Sequence, residues 1–290
     1  MTLSVNIYLL ERFQSGWDEI DMSDAAERRN FNLRDEIKAY WSERAATFDL
    51  SPGHEIFSEE ERAAWHQLIR RHLGEGGDRM ALDLASGTGV VSHLLDDLGF
   101  RVTGLDWAEP MLERARNKAR ERRRKISFRM GDAENTMEPD EHYDAVVTRH
   151  LVWTLVDPAV AFAEWLRVLK PGGRLLVVDG DFVNTNALER LFSKLSAWGQ
   201  RAGLLKADSP SGSRAMMETH RSILSRVHFS QGARAEEVAN LLRKVGFVDV
   251  EIDTDLSEIH RTQARNWNFF RALARKSQHR YAIRASKPSS

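Results

Sequence analysis

The 290-residue sequence predicts an α/β fold, a mostly parallel sheet with helices on both faces, and three observations carry that expectation. Strand-length apolar runs alternate with amphipathic helical segments from Met80 onward. Within Met80-Ala-Leu-Asp-Leu-Ala-Ser-Gly-Thr-Gly-Val-Val-Ser92 the chain reads strand, tight glycine turn, helix, because Val90, Val91, Leu94, Leu95 and Leu98 recur at helical spacing. Asp106 closes the next apolar run, seventeen residues after Gly89, where a carboxylate can accept from both hydroxyls of a ribose. Glycine puts no Cβ in a ligand's way, and a helix N-terminus offers free N–H groups. The turn is therefore built to cradle a nucleotide.

The elements follow in order. Residues 1–30 form a polar extension around the apolar piece Val5–Leu10, either a flexible arm or a helix that packs on a partner subunit. A helix is expected from Asn32 to Asp49, with Ile37, Tyr40, Trp41, Ala45 and Phe48 on one side, stopped by Ser51-Pro52-Gly53. A second runs from Glu59 to Leu73. After the glycine turn come a strand at Arg101–Asp106, a helix at Ala108–Arg122, and strands at Ile126–Met130 and Tyr143–Thr148. A helix marked by Phe162, Trp165, Leu166 and Leu169 stops at Lys170-Pro-Gly-Gly173, ahead of a fifth strand at Arg174–Val178. Residues 31–183 thus form a nucleotide-binding core with its preceding helices. Residues 184–234 turn helical and irregular, a lid or substrate insert, with Ser209-Pro-Ser-Gly-Ser213 as a mobile loop. Residues 235–290 return to the sheet through a helix at Ala235–Val245, a strand reaching Ile252, and a tail from Tyr281 that could close it.

Composition narrows the function. Lys and Arg number 42 against 43 acids, so no global basic field exists to hold a nucleic acid. The chain has no cysteine, which removes disulfides, thiolate nucleophiles and Cys-ligated metals. None of its ten histidines forms an i, i+4 pair, so a helical zinc site has no support and no metal is expected. No apolar run approaches membrane-spanning length, and the expectation is a cytoplasmic protein without a membrane partner.

Two templates compete for the turn. The dinucleotide fingerprint needs a third glycine, but Gly87-Thr-Gly-Val-Val91 is followed by Ser92. An NAD(P)-dependent oxidoreductase is thereby weakened, and a non-catalytic binding protein is a further alternative. Asp83-Leu-Ala85-Ser86-Gly87-Thr-Gly89, Leu105-Asp106, Gly131-Asp132 and Leu169-Lys-Pro-Gly-Gly173 occur in series. This series resembles the class I S-adenosylmethionine (SAM)-dependent methyltransferases of the small-molecule type, over roughly residues 35–180. Ala85 stands where the family has its first glycine, and Tyr40-Trp-Ser-Glu-Arg-Ala-Ala-Thr-Phe48-Asp49 looks like the helix before the family's core.

The resemblance implies a Rossmann-like, seven-stranded sheet whose last strand is antiparallel, covered by a helical lid from the N-terminus and the insert. It implies SAM as methyl donor, leaving S-adenosylhomocysteine (SAH), and an O, N or C nucleophile of a small metabolite as acceptor. By the same resemblance Asp83 with Ala85, Ser86, Gly87 and Gly89 meets the methionine end, Asp106 the ribose, Asp132 and Ala133 the adenine, and Phe48-Asp49 helps cover the cofactor. Trp107 and Met111 could lie against the adenine ring, and Arg149 could bind a carboxylate of the cofactor or substrate. His150 is the candidate general base, since a free imidazole titrates near neutrality. Tyr40, Phe48, His150, Trp153, His220 and His228 are candidates to line an acceptor pocket. The N-terminal arm suggests a homodimer.

Overall fold

A computed structural model describes residues 22–184, 186–205 and 214–289. The N-terminal arm through residue 21 and the Ser209–Ser213 loop lie outside the described residues. The chain begins its description in helix α1 (Met22–Arg44), followed by α2 (Glu59–Leu73), β1 (Met80–Leu84), α3 (Val90–Asp97), β2 (Arg101–Asp106) and α4 (Glu109–Glu121). Strands β3 (Ser127–Met130) and β4 (Tyr143–Arg149) precede α5 (Pro158–Val168) and β5 (Leu169–Gly180). Helices α6 (Ala187–Arg201), α7 (Arg214–Leu224) and α8 (Ala235–Val245) lead to β6 (Val248–Asp253), α9 (Ser257–Ala264), α10 (Phe269–Lys276) and β7 (Arg280–Ser286).

The seven strands stand in the order β3-β2-β1-β4-β5-β7-β6, with β7 antiparallel to both its neighbours and the others parallel. This is the expected sheet. Its central strands are mostly apolar because helices cover both faces. Trp165 and Phe162 of α5 pack with Val238 and Leu242 of α8 on one face, and Trp65, Leu68 and Ile69 of α2 with Leu94 and Leu95 of α3 on the other. Strand order reverses between β1 and β4, so a crevice opens at the carboxyl ends of those two strands.

Three elements differ from the sequence reading. Helix α1 starts ten residues earlier, at Met22, and ends at Arg44, with Phe48–Leu50 a separate 3₁₀ turn. Lys170-Pro-Gly-Gly173 does not stand before β5 but inside it. Pairing jumps there from Tyr143–Leu169 to Ala145–Arg174, a bulge in which Gly172 N–H donates to the Lys287 carbonyl and the Gly173 carbonyl accepts from Lys287 N–H. Two helices, α9 and α10, occupy the span between β6 and β7 that the sequence reading left unassigned. Helix α1 packs on α7 and the turn after it through Leu33, Ile37, Ile223 and Val227, so the N-terminal helix and the insert are in contact. None of the described helices is long and apolar enough to cross a membrane.

Candidate functional site

The crevice at the switch point is a cavity of about 510 Å³, within the range of small-molecule and cofactor sites. One wall is the glycine turn. Gly87 takes φ +55° and Gly89 φ +83°, both in the left-handed region that favours glycine. A Cβ on Gly89 would stand 2.9 Å from the Phe128 ring, so this glycine serves helix–strand packing and lies behind the lining. Ala85 carries a Cβ into the same region at φ +51° and lines the cavity. The strain makes Ala85→Gly an informative change: it is expected to stabilise the fold by up to about 1 kcal/mol in urea unfolding, despite glycine's looser unfolded chain.

Carboxylates occupy the strand ends. Asp83 is buried and its Oδ2 accepts from Ser92 Oγ at 2.6 Å. Burial pushes its carboxyl up to about 7, against the opposing pull of Ser92 and Arg149. Asp106 accepts from Gly87 N–H and Ala108 N–H, both at 2.8 Å, and burial pushes it up to about 6. Each oxygen keeps a lone pair for a ligand hydroxyl. Asp106 thus holds the turn and faces the cavity at once. Leu105, Trp107, Met111 and Ala133 supply an apolar strip beside it. Asp132 also lines the cavity while its Oδ1 accepts from Glu134 N–H, and Trp165 Nε1 donates to the Ala133 carbonyl at 2.8 Å. Glu134 binds Arg34 of α1 and accepts from Val156 and Asp157 N–H, tying α1 to this loop.

The opposite wall is aromatic and basic. Phe48 lies over the turn, 3.7 Å from where a Gly87 Cβ would be, and stacks on His54 at 4.3 Å. Its neighbour Asp49 does not line the cavity: it accepts from Thr88 Oγ1 at 2.6 Å and pairs with Lys118, bracing the turn from outside. Tyr40, Trp41, Trp153, Phe182 and His220 form a run of ring contacts 5.1–6.2 Å apart. His228 is a correction. It is exposed, rests edge-on against Phe229, and has no part in the cavity.

His150 lies at the end of β4 with φ +60°, a strained conformation held by its N–H bond to the Val178 carbonyl. Burial, with Arg280 and Arg149 nearby, holds its imidazole well below the usual histidine range. That environment disfavours the imidazolium that a base at this position would become. The neutral ring can still orient a bound group by hydrogen bonding.

Among the lining residues that escaped the sequence reading are Arg44, His54, Arg275 and Arg280. Arg44 stood inside the Tyr40–Asp49 segment without a role, and the other three had no motif to mark them. The cavity also leaves Ser86 Oγ and Arg149 Nη1 buried without hydrogen-bond partners. Together with the Asp106 carboxylate and the apolar strip, these fit a nucleoside bearing an amino-acid tail: acid for ribose hydroxyls, apolar walls for a base, donors for a carboxylate.

Comparison with known proteins agrees. Residues 82–177 match the family model described as a methyltransferase domain. The chain is 32% identical over 145 residues to a demethylmenaquinone methyltransferase of Renibacterium salmoninarum, covering 50% of this chain and 59% of that protein. It is 30% identical over 213 residues to a ubiquinone/menaquinone biosynthesis C-methyltransferase of Desulfotalea psychrophila, covering 71% of this chain and 80% of that one. The chain spans between 55% and 63% of the length of the demethylmenaquinone methyltransferases it matches. Among solved structures, geranyl diphosphate C-methyltransferase from Streptomyces coelicolor, in complex with SAH, shares the fold at TM-score 0.53 and 18% identity, over 78% of this chain and 76% of that one. The glycine turn, the strand-end acids and these matches have one common reading: the chain belongs to the class I SAM-dependent methyltransferases.

Proposed function

We propose that this protein transfers a methyl group from SAM to an O, N or C nucleophile of a small-molecule acceptor. The observation that carries the reading is one continuous cavity with two differently built ends. The turn, Asp83, Asp106 and the Asp132–Ala133 loop suit the donor, and the ring-lined end under α1 and α7 suits an acceptor. SAM supplies a methyl on a positive sulfonium. The chain's share of the work is alignment and exclusion of water, tasks for which a lid closed by Arg34–Glu134 is suited. In this reading Asp83 meets the donor's ammonium, Arg149 its carboxylate, Asp106 its ribose, and Asp132 with Ala133 its adenine. His150 and Trp153 orient the acceptor. The quinone-pathway names of the relatives support an acceptor with an aromatic ring, which the Tyr40–Trp41–Trp153–Phe182 wall would stack against. The nicotinamide alternative is disfavoured because Ser92, in the place of the third glycine, is fully buried and bonded to Asp83.

Calorimetric titration with SAH, with NADH as the control, tests the cofactor, and transfer of labelled methyl to a panel of phenols, quinols, amines and acids tests the activity. Binding of NADH alone would overturn the reading. SAH binding with no transfer to any acceptor would favour a non-catalytic binder. The reading extends to a cytoplasmic homodimer that takes no nucleic acid. Light scattering that shows a monomer would remove the dimer.

The Asp83 carboxyl makes SAH affinity depend on pH. A carboxyl raised to about 7 is protonated below that value, whereas the donor's ammonium is best met by the ionised form. Affinity is therefore full above pH 7 and declines as pH falls through 7, by up to about tenfold per unit. In the ligand-free fold the sign reverses: the raised carboxyl contributes stability below the ordinary carboxylate range, lost as pH rises towards 7. Calorimetry from pH 5.5 to 8.5 should show that decline in wild type and a much flatter profile in Asp83→Asn.

A further inference from the structure

The cavity gathers more positive charge than the donor can answer. Arg44 at the end of α1, Arg149 at the end of β4, Arg275 on α10 and Arg280 at the start of β7 all line it. Arg44 Nε and Nη1, Arg149 Nη1 and Arg280 Nε are buried without hydrogen-bond partners, and among the described residues no ion pair engages any of the four. Arg280 lies 5.7 Å from the centre of the Phe182 ring, which itself stands edge-on to His150 at 5.5 Å. Arg275 Nη2 reaches within 3.1 Å of where a Gly53 Cβ would be, beside His54.

Nearby carboxylates are already engaged. Asp179 accepts from Val152 and Gly180 N–H, Glu189 from Gln278 Nε2, and Asp83 from Ser92. Arg275 and Arg280 also repel each other, and Asp179 and Glu189 offset that only in part. Burial and Arg149 push Arg280 down to about 10, and burial with Arg280 pulls Arg275 well below its usual range. Guanidiniums stay charged in proteins, and a buried cation without an anion is costly. SAM brings one carboxylate against two cationic groups, so it can satisfy Arg149 but adds net positive charge to the same cavity.

We propose that the acceptor carries an oxyanion, a carboxylate or a phosphate, seated between Arg275 and Arg280 and next to the ring wall. This rests on the methyl-transfer reading only in calling the ligand an acceptor. The anion offsets the charge of the two arginines and of the incoming sulfonium, and fixes which end of the molecule points at the methyl. Planar guanidiniums suit either group, because both present paired oxygens to a fork of N–H donors.

The test titrates SAH-saturated protein with inorganic phosphate and, separately, with benzoate, at ionic strength held constant with sodium chloride. At least one anion is expected to bind, and which one separates a phosphate from a carboxylate acceptor. Arg280→Gln and Arg275→Gln should each weaken it by about 10- to 100-fold while SAH affinity stays within about threefold. Arg280→Lys, which keeps the charge, should lose less than Arg280→Gln. If Arg280→Gln does not fold, the readout moves to wild type and Arg280→Lys: phosphate or benzoate must raise the melting temperature beyond sodium chloride at equal ionic strength, and more so in wild type. No binding of either anion beyond chloride would overturn the proposal. So would an equal loss of SAH affinity in the two variants, since it would assign the pair to the donor. If wild type binds no SAH, the methyl-donor reading fails separately, and phosphate or benzoate binding to the free protein still decides the anion site.

Discussion

Trp165→Ala is expected to lower stability by about 3–5 kcal/mol, the range for removing a large aromatic side chain from a core that cannot close over the space. Trp165 is fully buried beneath the sheet, and with Phe162 at 5.0 Å it joins α5 to α8 and the strands. Its Nε1 also donates to the Ala133 carbonyl, so the indole braces the loop assigned to the adenine. Trp165→Phe separates the two roles. It keeps most of the bulk, leaves a buried carbonyl short of a partner, and should cost about 1–3 kcal/mol with a modest loss of SAH affinity. Urea unfolding of both variants reads the stabilities. A loss below 1 kcal/mol for the alanine variant would show that this core can repack.

What could be read before folding follows from how far apart the cooperating residues lie. β1, β2 and β4 were legible because strands covered on both faces must be apolar along their length. Asp83, Asp106 and Asp132 were legible because each sits within two residues of a strand end, and parallel strands bring those ends to one edge. The glycine turn was legible from Gly87 and Gly89. The basic end of the cavity was not, because Arg44, Arg149, Arg275 and Arg280 come from four elements and converge only when β7 inserts between β5 and β6. α9 and α10 are each eight residues long, close to the limit at which charged sequence still shows a helical period. His150 was marked correctly as a lining residue, but its chemistry was read from a free imidazole. Burial beside Arg280 and Arg149, which sequence does not show, lowers its readiness to take a proton.

Asp106→Ala is expected to weaken SAH binding by about 2–4 kcal/mol, the cost of losing a charged acceptor for two ligand hydroxyls. The structure adds a second effect. The same carboxylate takes the Gly87 and Ala108 N–H groups, so the variant also leaves two donors at the turn without their acceptor and should melt at a lower temperature. The two contributions separate with a second ligand. Wild type should prefer SAH over its 2′,3′-dideoxy analogue, and Asp106→Ala should bind both alike, because the group that distinguishes them is gone. If the variant folds and still prefers SAH as strongly as wild type does, Asp106 acts only through the turn, and the ribose must be held by another cavity group.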